Sequence, residues 1–293
     1  MKTATDELIL YKRYKDETAV FLKCLKAVRS DPGKQPIHRL RVEIKKMRAL
    51  FYLFEKLFPS EFERKKMIGP VRKIFKLGGK IRELQVNVYC LKQYRPSARL
   101  LSAYASFVKK QEQKHRVRLR KAISKFEPGA LKRTQDLVRI CCAGLTEPLL
   151  KRAGVALIRS ELKAVEKLLS GRTPAPAMHQ IRIHLKRVGP VILLLQEMEP
   201  NKQLGDLQEL IRTTGILIGN WHDEVVLLDS LLEFSRLSRF KETGNQGKVR
   251  NARVIHQWIQ KIKTKNRGVY PVVKKGLAQI VQAVQSPRAT ALR

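Results

Sequence analysis

Acidic residues are scarce in this chain: 25 Asp and Glu stand against 61 Lys and Arg, leaving a formal net charge of +36. A free protein with that excess repels itself, and the imbalance points to a polyanionic partner. Aromatic residues are scarce too, at 6%, which leaves few platforms on which the bases of a nucleic acid could stack. The four cysteines, Cys24, Cys90, Cys141 and Cys142, form no CxxC pair and no zinc-like spacing, so buried reduced thiols are expected. No apolar run approaches the roughly 20 residues of a membrane span. The stretch from Met1 to Tyr11 carries Asp6 and Glu7 and lacks the basic-then-apolar order of a signal peptide. A cytoplasmic protein without a membrane partner is expected.

The signatures of common chemistries are missing as well. There is no HExxH, no GxSxG and no dinucleotide fingerprint, and Leu77-Gly78-Gly79-Lys80 lacks the spacing of a phosphate-binding P-loop. No cluster of carboxylates is available to hold catalytic magnesium. The expectation is a non-enzyme with no catalytic residue, no cofactor and no metal.

Strand signals are nearly absent, whereas apolar residues recur at three and four almost everywhere, which predicts helices throughout. Proline and glycine supply the punctuation. Asp31-Pro32-Gly33 and Phe58-Pro59-Ser60 close two long helices, and Arg95-Pro96-Ser97 opens another with Ser97 as N-cap. Loops are expected at Ser170 to Pro176, at Glu199-Pro200-Asn201 and at Glu242 to Gly247. About twelve helices follow, roughly six per half.

What is present is a repeat. Ile37-His38-Arg39-Leu40-Arg41-Val42-Glu43-Ile44-Lys45-Lys46-Met47 aligns with Met178-His179-Gln180-Ile181-Arg182-Ile183-His184-Leu185-Lys186-Arg187-Val188. The apolar positions Ile37, Leu40, Ile44, Met47, Phe51 and Phe54 correspond to Met178, Ile181, Leu185, Val188, Ile192 and Leu195, the seam of a long bundled helix. Gly79 to Glu83 likewise matches Gly219 to Asp223, and more weakly Phe107-Val108-Lys109-Lys110 matches Trp258-Ile259-Gln260-Lys261. The order is the same in each half, so two repeats are expected, about residues 5–145 and 147–285.

Beside each seam runs a stripe of cations. His38, Arg41, Lys45 and Arg48 are spaced three, four and three, a ladder along about 15 Å of helix. The second copy has His179, Arg182 and Lys186, then Gly189 in place of Arg48. Further rungs are expected from Lys73, Lys76 and Lys80, from Lys110 and Lys114 with Arg116 nearby, and from Lys261 and Lys265 with Arg267. Lys76 and Lys80 face the uncharged Ile216 and Asn220 in the alignment, so the N-terminal half should be the more basic. Such stripes suit phosphate oxygens, to which Arg and Lys make strong charge-assisted hydrogen bonds. An ordinary solvated basic face is the bland alternative for either stripe alone, and its repetition at the same offset weighs against that. His38 and His179 read better as hydrogen-bonding groups in an anion site than as metal ligands, because Arg41 and Arg182 one turn away would repel a cation. His222-Asp223 and its counterpart Arg82-Glu83 read as helix-packing salt links.

The paired motifs His38-x-x-Arg41-x-x-x-Lys45-Lys46-x-Arg48 and His179-x-x-Arg182-x-x-x-Lys186-Arg187 precede Gly-containing segments that end in Arg82-Glu83 or His222-Asp223. Together they resemble the CHAD domain, the conserved histidine α-helical domain, over roughly residues 5–285. The resemblance implies an all-α unit of two helical bundles related by a pseudo-twofold axis, with a basic central groove or pore that binds inorganic polyphosphate. It also implies association with triphosphate-tunnel enzymes or polyphosphate-granule proteins. By motif match the polyphosphate-lining role falls to His38, Arg41, Lys45, Arg48, His179, Arg182 and Lys186, with a departure at Gly189. Nucleic acid is the rival polyanion.

Overall fold

In the computed structural model, which describes residues 9–170, 174–239 and 245–285, all regular structure among the described residues is helical. Nine helices follow one another among the described residues: α1 (Ile9–Ser30), α2 (Lys34–Leu57), α3 (Arg64–Lys92), α4 (Ala98–Ser124), α5 (Gly129–Cys142), α6 (Glu147–Leu169), α7 (Pro174–Met198), α8 (Lys202–Arg239) and α9 (Asn245–Gln285). The expected twelve become nine because α8 and α9 run for 38 and 41 residues, and because Pro70, Pro190 and Pro271 lie inside helices. A proline removes one backbone hydrogen bond, and a helix packed on several sides can continue through that loss.

Other boundaries fall where the turn residues put them. α1 stops before Asp31-Pro32-Gly33 and α2 before Pro59, and the Leu100 amide donates to the Ser97 hydroxyl (3.4 Å) as a helix N-cap. Of the loop expected at Ser170 to Pro176, residues 171–173 lie outside the described residues, and Pro174 to Pro176 instead form the first turn of α7, where proline is tolerated. In the loop expected at Glu242 to Gly247, residues 242–244 lie outside the described residues and the remainder begins α9. Among the described residues no helix is long and apolar enough to cross a membrane.

Within each half successive helices pack together: α1 on α2, α2 on α3 and α3 on α4, then α6 on α7, α7 on α8 and α8 on α9. α1 also meets α4 and α5, and α6 meets α9. The halves join through α2 against α7 and α3 against α8. The two apolar seams drive this arrangement. Ile37, Leu40, Ile44, Met47, Phe51 and Phe54 of α2 are buried, as are Met178, Ile181, Leu185, Val188, Ile192 and Leu195 of α7, all in one core. Burial of each such side chain stabilises by roughly 1.5–3 kcal/mol.

A second, smaller core joins Leu91, Tyr104, Val108, Leu231, Phe234 and Trp258 across α3, α4, α8 and α9. Along α3 the change from the first core to the second falls between Ile81 and Leu84, and along α8 between Val225 and Leu227. Arg82-Glu83 lie at the break on α3, and His222-Asp223 lie on α8 between Trp221 and Val225 of the first core.

Behind the α2–α7 contact lies a buried polar knot. Glu161 of α6 accepts from the Tyr52 hydroxyl, binds His184 Nδ1 (2.7 Å) and accepts from Arg187 Nη1 (3.2 Å). Burial would raise the Glu161 carboxyl, but these partners together hold it below its ordinary value. The Arg187 guanidinium also lies over the Tyr52 ring, 4.4 Å from its centroid. The knot ties α2, α6 and α7 to one another.

Candidate functional site

Where α2, α3, α7 and α8 meet, the two expected cation rows come together. α2 brings Arg41, Lys45 and Arg48, α7 brings Arg182 and Lys186, α3 adds Arg82, and α8 adds His222 and Asp223. Lys45 is pushed down to about 8, by burial first and then by Arg41 and Arg182. Lys186 is pushed down to about 7, by burial and by Arg182, Lys45, Arg41 and Arg48. Each amine thus feels guanidinium groups of both helices. Lys45 and Lys186 are nevertheless exposed to solvent. Water can thus reach both amines although each has lost part of its hydration.

Arg41 is held firmly on one side. Its Nη1 donates to the Phe75 carbonyl (2.9 Å), and its guanidinium lies 4.9 Å from the Phe75 ring centroid. Arg48 covers the same ring at 4.7 Å. Room for Arg41 comes from the glycine pair of α3: a Cβ at Gly78 would lie 3.4 Å from Arg41 Cγ, and one at Gly79 would lie 2.7 Å from Arg41 Nη1. The aligned Gly219 of α8 has nothing within 4 Å of such a Cβ. Arg182 is placed differently, with its Nε buried and without a hydrogen-bond partner. The two halves present matched charges through unmatched contacts.

Two histidines of the group, His38 and His222, are pushed toward the neutral form. Burial, then Arg82, Lys45 and Arg41, lowers His38, and burial with Arg182, His179 and Lys186 brings His222 down to about 4. The rings of His179 and His222 lie 5.8 Å apart. Asp223 is raised by burial even though Arg182, Arg82, Lys45 and Lys186 oppose the rise. The salt link expected for Asp223 is therefore replaced by a place inside the cationic cluster. Glu83 does make an ion pair, with Lys80 on its own helix (3.0 Å).

The outer rungs stand apart. Lys73, Lys76, Lys110, Lys114 and Lys261 are exposed, and none is among the charges acting most strongly on the cluster. Lys80 lines a cleft of about 500 Å³ enclosed by α3, α4 and α8, together with Glu83, Asn87, His115 and His222. Lys265 is paired with Glu224, and Arg116 is bound to Glu112 (2.6 Å) and to the Pro32 carbonyl. Lys46 turns away from Lys45 toward Glu43 of its own helix (3.1 Å) and Glu17 of α1 (3.4 Å). Adjacent helical residues diverge by about 100°, which separates these two lysines.

Sequence reasoning missed four contributors. Arg82, His222 and Asp223 were read as packing charges, and Phe75 was not singled out. The repeat offered a signal for the first three, since all occupy its second matched segment; nothing in the sequence marked Phe75. Among the described residues no three His, Cys, Asp or Glu side chains converge to hold a metal ion.

Residues 15–232 match the family model of the CHAD domain. The crystal structure of the CHAD domain from the plant Ricinus communis is similar in fold, with a TM-score of 0.74 at 14% identity over 92% of this chain and 90% of that chain. Among curated proteins there is no match.

Proposed function

The chain belongs to the CHAD domain family, and from that premise and the cluster's geometry we propose that it binds inorganic polyphosphate without chemically altering it. The observation that carries this reading is the mutual crowding of Lys45 and Lys186. Two amines on facing helices are depressed by each other's arginines while remaining open to water. Such an arrangement costs the free protein electrostatic energy, which a chain of closely spaced phosphates would offset along its length. Arg41, Arg48 and Arg182 would grip phosphate oxygens in their planar forks, neutral His38 and His222 would add hydrogen bonds without further repulsion, and His179 would hydrogen-bond beside them.

In this reading the cluster is the floor of a basic groove between two bundles that arose by duplication and span residues 5–285. Lys73, Lys76, Lys80, Lys110, Lys114 and Lys261 would form an outer track for a long polyanion, with Lys265 joining only if it leaves Glu224. A module that holds polyphosphate without cutting it suits recruitment beside a triphosphate-tunnel enzyme or at polyphosphate granules.

The test is a titration with polyphosphates of graded length at several salt concentrations, followed by competition. Long chains should displace DNA or RNA at far lower phosphate concentration than the reverse, and binding should weaken as salt rises. Nucleic acid that holds its place against excess polyphosphate would replace this reading. Shortening of the polymer during incubation with magnesium would overturn the non-enzymatic part.

A further inference from the structure

The cleft between α3, α4 and α8 differs in chemistry from the cationic cluster it adjoins. His222 belongs to both: it faces Arg182, His179 and Lys186 of the cluster and lines the cleft of about 500 Å³. Past His222 and Lys80 the lining changes sign. Glu83 stands on α3, and Asp229 and Glu233, one turn apart on α8, are exposed at the rim. Glu83 is held by Lys80 (3.0 Å), whereas Asp229 and Glu233 form no ion pair among the described residues.

A second observation comes from inside the cleft. Asn87 of α3 lines it and is only 2% exposed, yet its Oδ1 is buried without a hydrogen-bond partner. The rest of that amide is engaged by the Tyr104 hydroxyl, which lies 2.7 Å from Ser230 Oγ. Half-buried His115 of α4 contributes a second unpartnered atom, Nδ1. A buried acceptor without a donor is destabilising, and a ligand that brings the donor recovers the loss.

These groups discriminate among ligands. Inorganic polyphosphate presents oxygens along its whole length, which the carboxylates repel and to which Asn87 Oδ1 cannot donate. An oligoamine has donors, but it would meet Lys80 and Arg118 beside His115 and Arg182 and Lys186 beside His222. A short phosphate chain carrying a donor-rich, partly apolar head group suits both regions. Leu84 and Val226 offer that head group apolar surface. Carboxylates accept from ribose hydroxyls in dinucleotide sites, and a base amine would serve Asn87 Oδ1. The volume lies within the roughly 300–1,000 Å³ of small-molecule sites.

We propose that this cleft is the head-group subsite for a ribonucleoside triphosphate whose phosphates pass His222 into the cationic cluster. The proposal rests on the cluster's binding of phosphate and adds to it a preference for one class of phosphate ester.

Calorimetric titration of the full chain compares ATP with inorganic tripolyphosphate at one salt concentration without magnesium. ATP should bind about tenfold more tightly although it carries less charge, since satisfying one buried acceptor is worth about that factor. Asn87→Ala, and separately Asp229→Ala with Glu233→Ala, should each bring ATP down to the affinity of tripolyphosphate. The readout is the ratio of the two affinities, which a uniform change in charge moves little. The rim pair is exposed, so that variant decides the matter if Asn87→Ala fails to fold. Tripolyphosphate binding as tightly as ATP in the parent would mean that water alone fills the cleft and would overturn the proposal, as would a preference that survives in either folded variant. Long-chain polyphosphate is titrated alongside. If it binds tightly and ATP shows no preference, this proposal alone fails. If ATP is preferred and long chains do not bind, the proposed function fails and this inference stands. Binding of none of the three would sink both.

Discussion

Replacing Gly79 by alanine separates binding from folding with a single methyl group. The added Cβ would lie 2.7 Å from Arg41 Nη1, too close for any real contact, so the guanidinium must move off the Phe75 carbonyl. Within a helix Gly→Ala is worth up to about 1 kcal/mol of added stability. The displaced hydrogen bond from a charged donor is worth about 1.5–3 kcal/mol, much of it recovered because Arg41 can turn to solvent. The two effects nearly cancel, and the melting temperature should move by only a few degrees. Affinity should not be spared. Losing one charge-assisted contact to phosphate corresponds to about ten- to a hundredfold, and a polyanion able to slide to neighbouring cations brings the expected loss toward tenfold. Gly219→Ala is the matched control, because nothing lies within 4 Å of its Cβ, and it should bind within about twofold of the parent. Fluorescence titration with labelled polyphosphate at fixed salt, beside thermal melts of all three proteins, reads both quantities. Unaltered binding by Gly79→Ala, or equal losses in the two variants, would refute the placement of Arg41 at the ligand.

Polyphosphate affinity should fall as pH rises through 7 and 8, because Lys186 and Lys45 must be protonated to bind an anion and are held down to about 7 and about 8 in the free protein. At pH 8 the loss relative to pH 6 is at most about twentyfold, reduced to about three- to tenfold by solvent screening, and calorimetry in two buffers should show proton uptake on binding. The free protein should show the opposite trend: the unfolded chain binds more protons at these lysines between about pH 7 and 10.5, so their penalty on folding fades across that window. Changing Arg41, Lys45 and Arg48 together to alanine should weaken polyphosphate binding more than changing Arg182, Lys186 and Arg187, whereas the second set should lower stability more because Arg187 serves Glu161 and Tyr52; equal losses of affinity would contradict this. Tyr52→Phe should cost about 1–3 kcal/mol in denaturant unfolding by leaving buried Glu161 short of a donor, with polyphosphate affinity unchanged.

The all-helical architecture was legible because the three-and-four spacing of Ile37 to Phe54 and of Met178 to Leu195 leaves no other regular structure able to bury those side chains. The turn at Asp31-Pro32-Gly33 and the cap at Ser97 were legible for local reasons, since each acts through its own backbone. The helix count was not, because lateral packing carried α7 and α9 through Pro190 and Pro271 and let α8 and α9 run for 38 and 41 residues. The inner part of the site was legible as two stripes of like spacing. The outer rungs were not separable from it, since Lys110 and Lys261 have the same periodicity as Lys45 and differ only in what lies opposite.

By itself the sequence determined which residues share a helix face, and therefore that each cation stripe lies beside an apolar seam. Only the tertiary structure decided which stripe meets which. It set Lys45 against Arg182 and sent Lys46 to Glu17 and Glu43, paired Lys265 with Glu224, and lodged Arg41 in the space left by Gly78 and Gly79. Periodicity fixes direction around one helix axis, but the charge an amine feels depends on groups over a hundred residues away in the chain. Those come near only when the helices have packed.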